Sequence, residues 1–86
     1  MEKRREPRLA ASGQVVLSLT DGSRITGELV DVSAGGFRAR HTGTDFSRGQ
    51  EVNFEHADAR GRARVVWNRI ASGTVESGFM LVDDGA

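Results

Sequence analysis

Residues 24–41 read RITGELVDVSAGGFRARH. Arg24 to Val30 reads as a strand, and Gly27 inside it predicts a bend or bulge of the kind barrels use. Asp31-Val32-Ser33-Ala34-Gly35-Gly36 follows as a turn. In such a turn Asp and Ser side chains cap backbone N–H groups, and glycine accepts the positive φ that other residues resist. From Gly36 to His41 a strand alternation resumes, with Phe37 and Ala39 on one face and Arg38 and Arg40 on the other. The frame is strand, turn, strand.

The pattern continues on both sides. Gln14 to Thr20 places Val15, Leu17 and Leu19 on one face, and Asp21-Gly22 is a hairpin turn signal. Thr42 to Gly49 is a polar loop around Phe46. Gln50 to Glu55 puts Val52 and Phe54 on one face; Arg60 to Ile70 is a long strand carrying Val65, Val66 and Trp67. Ser72-Gly73 turns the chain into a last strand, Thr74 to Val82. Six strands, short turns and no 3.6-residue period predict an all-β, six-stranded antiparallel barrel. Closure removes the edges that invite aggregation. Pro7 biases Glu6 towards an extended conformation, so residues 1–12 read as an extended N-terminal arm ahead of a barrel at 13–83.

Composition narrows the function. Eighty-six residues make one small domain with a modest core. The chain has no cysteine, hence no disulfide staple and no thiolate zinc site, which suits a reducing cytosol. No apolar run is long enough to span a membrane, and no apolar segment follows the basic start Met1-Glu2-Lys3-Arg4-Arg5 as a signal peptide would require. A cytoplasmic location without membrane insertion is therefore expected. Formal net charge is zero, which argues against a general nucleic-acid binder. His41 and His56 have no metal-site spacing and read as surface residues. There is no nucleophile–base signature, P-loop or G-x-G-x-x-G, so neither an enzyme nor a metal protein is expected.

Two motifs remain: Arg4-x-x-x-Arg8, with Arg5 between, and Asp31-x-Ser33-x-x-Gly36. Alone, the first reads as a solvated tail and the second as an ordinary turn. Together and in this order they resemble the PilZ domain family. The resemblance extends through Arg4-Arg5-Glu6-Pro7-Arg8, Gly27 to Phe37, Gly49-Gln50-Glu51-Val52, Ala63-Arg64-Val65-Val66-Trp67 and Ser77-Gly78-Phe79-Met80-Leu81. It implies a PilZ-like split barrel of single-domain type that binds cyclic di-GMP, with no further cofactor. It also implies that Arg4 and Arg8 contact guanine and phosphate, with Arg5 as an extra contact, and that Asp31, Ser33 and Gly36 complete the site. Many members of the family carry a C-terminal helix; here none of substance is expected after Val82.

The chemistry of that ligand suits these residues. Each guanine shows O6 and N7 acceptors on one edge, which a guanidinium bridges bidentately. A guanidinium stacked on an aromatic face contributes about 0.5–2 kcal/mol. The opposite edge carries N1–H and N2–H₂ donors, matched by the Asp31 carboxylate, and the Ser33 hydroxyl can donate to phosphate. Gly35, Arg38 and Trp67 are candidate secondary contacts. The first reading of Trp67 is core or barrel-rim packing, and of Arg38 a solvated strand face. Because residues 1–12 hold no apolar stripe, the arm is expected to be mobile without ligand, to fold across the barrel with it, and so to signal to an unknown protein partner. The alternative is a PilZ-like adaptor with weak or no nucleotide binding, acting by protein contact.

Overall fold

The structure, a computed structural model, describes residues 9–42, 46–57 and 59–82. Seven strands account for most of them: β1 (Leu9–Ala10), β2 (Gln14–Ser18), β3 (Arg24–Ser33), β4 (Gly36–His41), β5 (Glu51–His56), β6 (Ala59–Ala71) and β7 (Thr74–Leu81). Every pairing is antiparallel. The ladder runs β3-β2-β5-β6-β7-β4 and returns to β3, closing the six-stranded barrel expected from the alternation. No helix occurs among the described residues.

β1 is the addition. It pairs with the far end of β3, Leu9 opposite Val32 and Ala10 opposite Asp31. The Ala11 amide then donates to the Val30 carbonyl, and the Leu29 amide to the Gly13 carbonyl. Residues 9–18 thus follow one edge of the ten-residue β3, interrupted at Gly13, whose φ of 106° favours glycine. The sequence reading left residues 9–12 unpaired because two short strand residues carry no readable period.

The core follows from the alternation. Val15 and Leu17 of β2, Leu29 of β3, Phe37 and Ala39 of β4, Val52 of β5, Ala63 and Val65 of β6 and Phe79 of β7 all point inward. Each large apolar side chain so buried contributes about 1.5–3 kcal/mol. Phe37 stacks on Phe79 at 4.8 Å between centroids, and Phe54 tilts against Phe37 at 5.1 Å. Phe46 belongs here as well: it is buried and its ring meets Phe79 edge-on, so the aromatic within the stretch read as a polar loop joins the core.

Two strands break phase. β3 and β4 pair Leu29 with Ala39 but Asp31 with Arg38, leaving Val30 as an extra residue. β6 and β7 pair Val65 with Phe79 but Trp67 with Gly78, leaving Val66 extra. The first bulge is at Val30 and not at Gly27. Gly27 answers a different demand: a Cβ there would lie 2.9 Å from the Arg40 carbonyl oxygen on the neighbouring strand.

Candidate functional site

A bulge re-aims the side chain that follows it. Strict alternation would send Asp31 inward with Leu29, and Trp67 inward with Val65. The extra residues Val30 and Val66 send both to the outer face instead. There they meet. Asp31, Arg38, Gly78 and Trp67 are successive cross-strand neighbours on β3, β4, β7 and β6. A second row alongside it is Ser33, Gly36, Met80 and Arg64. Between them opens a groove of about 500 Å³, with Ser33, Gly35, Gly36 and Arg38 at one end and Val66, Trp67 and Met80 at the other.

The polar end is organised by charge. Arg38 Nε donates to both Asp31 carboxylate oxygens, at 3.0 and 2.9 Å, and its Nη2 also donates to Oδ2. This fork is the strong geometry for an arginine–carboxylate pair. The hydrogen bonds to Asp31 hold the Arg38 pKa above its usual value; partial burial opposes the shift, and the Asp31 and Glu76 charges reinforce it. Glu76 faces Arg38 Nη1 at 3.6 Å and Arg69 Nη2 at 3.3 Å. Asp31 is only 6% exposed, so the carboxylate expected at the mouth of a turn lies mostly beneath the guanidinium. Arg38, read from sequence as a solvated strand face, instead forks onto Asp31.

The corner itself is tighter than the sequence suggested. Asp31, Val32 and Ser33 belong to β3, and the turn is Ala34-Gly35 alone. Ser33 pairs with Gly36, and the Ser33 hydroxyl lies 3.5 Å from the Gly36 carbonyl, a long contact. Gly36 does not have the positive φ of a turn glycine. It is needed because a Cβ would collide with the Phe79 carbonyl oxygen, so its absence lets the corner close on β7. The Gly35 carbonyl accepts from the Leu81 amide at 2.9 Å, tying the same corner to the end of β7.

Of the nine residues singled out in the sequence, the structure brings Asp31, Ser33, Gly35, Gly36, Arg38 and Trp67 to this one surface. Arg4, Arg5 and Arg8 lie outside the described residues. The backbone nearest them is informative. Leu9 stands opposite Val32, one position short of Ser33, so the chain enters the barrel beside the groove. Of the two placements expected for Trp67, core or barrel rim, the core is excluded: the residue is half-buried on the outer wall, because the Val66 bulge turns it out. Sequence reasoning missed Val66, Met80, Glu76 and Gly78 as contributors. Gly78 alone left a signal, as a glycine inside a strand.

His41 is also corrected. It is 3% exposed, and its Nε2 lies 2.9 Å from the Ser77 hydroxyl. Ser77 in turn donates to Asn68 Oδ1 at 2.6 Å, and Asn68 donates to the Phe46 carbonyl at 2.7 Å. Burial pushes the imidazole below the usual histidine range. Among the described residues no three His, Cys, Asp or Glu side chains gather as a metal site, and no helix is long and apolar enough to cross a membrane.

The sequence model of the PilZ domain matches residues 2–84. The chain belongs to the PilZ domain family. Among solved structures, the PilZ domain with c-di-GMP of YcgR from Escherichia coli superposes with a TM-score of 0.79 at 18% identity, over 95% of this chain and 79% of that one. YcgR in complex with c-di-GMP from Escherichia coli gives 0.77 at 19% identity, over 95% of this chain. The Bacillus subtilis inhibitor of motility, MotI/DgrA, gives 0.79 at 16% identity, over 96%. This PilZ chain spans 39% of that YcgR chain and 44% of MotI/DgrA. At these identities the likeness is one of fold. No curated protein matched the sequence.

Proposed function

We propose that this PilZ domain is a cytoplasmic cyclic di-GMP receptor, a binding module and not an enzyme, whose N-terminal arm completes the site. The observation that carries the reading is the convergence of Asp31, Ser33, Gly36, Arg38 and Trp67, from three strands, on one groove beside the point where the chain enters the barrel. A planar base with hydrogen-bond donors on one edge and a phosphodiester beside it fits that mixture of acceptor, hydroxyl, guanidinium and indole.

In this reading the guanine N1–H and N2–H₂ groups donate to Asp31. A carboxylate offers about four lone-pair positions, so it can serve Arg38 and a base together. Ser33 donates to phosphate or a base acceptor. Arg4 and Arg8, with Arg5, bridge phosphate and the O6/N7 edge from the arm. In this reading the arm closes over the ligand and the closed surface is what a partner protein reads; the pairing of residues 9–11 with β3 supports a moving part that lies before Leu9. Ordering it costs about 1–2 kcal/mol per backbone residue, offset by charge-assisted contacts.

Calorimetric titration of cyclic di-GMP into wild type, Arg8→Ala and Asp31→Ala tests this. A charge-assisted hydrogen bond contributes about 1.5–3 kcal/mol, so each variant is expected to bind roughly 10- to 150-fold more weakly. Absence of binding by the wild type, or unchanged affinity in both variants, refutes the proposal.

A further inference from the structure

Gly78 lies in the middle of β7, where glycine has no side chain to pack and weakens a strand. Its backbone makes no demand for it, since its φ lies outside the left-handed region. What it answers to is Trp67. A Cβ at Gly78 would lie 2.9 Å from indole Cζ2 and closer still to Nε1 and Cε2. No backbone atom is among those three nearest neighbours; all belong to the indole. The ring therefore lies across the bare backbone of Gly78, its direct cross-strand partner, in the row that continues to Arg38 and Asp31.

The Val66 bulge makes a separate contribution to the same placement. It shifts the phase of β6 so that Trp67 emerges on the outer face and Asn68 turns in to Ser77 and Phe46. Bulge and glycine cooperate: one brings the indole out, the other lets it lie down against the sheet. Val66 and Met80, 45% and 46% exposed, flank it. The result is an apolar floor at the end of the groove away from Asp31.

We infer that Gly78 is a positioning residue of the nucleotide groove, setting the Trp67 indole flat as a platform for a planar base. The inference rests on the receptor reading above and adds to it a residue that touches no ligand. Any side chain at position 78 lifts the ring and narrows the groove at that end.

Trp67 is the sole tryptophan, so its fluorescence reports the ring directly. The experiment compares wild type, Gly78→Ala, Trp67→Val and the double variant by emission spectrum, acrylamide quenching, thermal unfolding and calorimetry with cyclic di-GMP. Gly78→Ala is expected to shift the emission, to raise quenching and to weaken nucleotide binding about tenfold, the loss of roughly one stacking contact. In the Trp67→Val background the same change is expected to alter affinity less than about twofold, because coupled residues are non-additive. If Gly78→Ala does not fold, the double variant is expected to recover folding, since the obstructing ring is gone. An equal loss of affinity with and without the indole, unchanged emission, or failure of Trp67→Val to rescue folding overturns the inference. Lack of binding by the wild type defeats the receptor reading alone, since emission and rescue still decide whether Gly78 seats the ring.

Discussion

Replacing Arg38 by methionine removes a guanidinium that forks onto a nearly buried carboxylate while keeping much of the aliphatic stem. The size of the effect follows from how deeply the pair sits. Breaking one side of a fully buried ion pair costs about 3–5 kcal/mol, whereas an exposed pair contributes about 0.2–1 kcal/mol. Asp31 keeps 8% of its side-chain surface and Arg38 keeps 35%. The pair therefore lies between these limits, and Arg38→Met is expected to destabilise by about 2 kcal/mol. For a domain of this size each kcal/mol moves the unfolding midpoint by about 4–8 °C, so a fall of about 8–16 °C is expected in a circular-dichroism melt. Asp31→Asn made in the Arg38→Met background should then cost much less than it does in wild type, because the two residues share one interaction and their losses are not additive. A fall below about 3 °C for Arg38→Met, or additive losses in the double variant, would refute the claim that the fork holds this corner together.

Two further outcomes follow from the geometry. His41 has a folded-state pKa below its unfolded value, so protonation favours the unfolded chain; its contribution to stability is complete above the unfolded value near 6.5 and declines as pH falls through the folded one. Melts between pH 7.5 and 5.0 should therefore show a smaller acid-side decline for His41→Gln than for wild type. Gly36→Ala drives a methyl into the Phe79 carbonyl oxygen, which cannot swing aside as a side chain would. A loss of about 1–3 kcal/mol, read by urea unfolding, is expected together with weakened cyclic di-GMP binding.

How much of this was legible in the sequence depends on how local its cause is. Val15 and Leu17, Phe37 and Ala39, and Val52 announced their burial by alternation within single strands, and the barrel followed. Asp31, Ser33 and Gly36 stood out through spacing and resemblance, and they do meet at one corner. The bulges did not announce themselves. Val30 and Val66 are ordinary strand residues, and only pairing with a distant strand makes them extra, whereas Gly27 displayed the usual bulge signal for an unrelated steric reason. Without the bulges, Asp31 reads as part of a turn and Trp67 as core or rim packing. His41 reads as a surface residue because its burial comes from a partner on a remote strand, Ser77, and the burial of Phe46 against Phe79 has no local signal for the same reason.

The same two valines bear on how chains of this kind are compared. Each is a slip of one residue in a period of two, so the stretches before and after it obey opposite parity. Against a relative without the bulge, an alignment drawn straight through either point would equate positions that face solvent in one chain with positions that face the interior of the other. Loss of the extra residue itself would restore plain alternation and leave what the barrel displays and what it conceals unchanged, so the gap in such an alignment belongs at the valine.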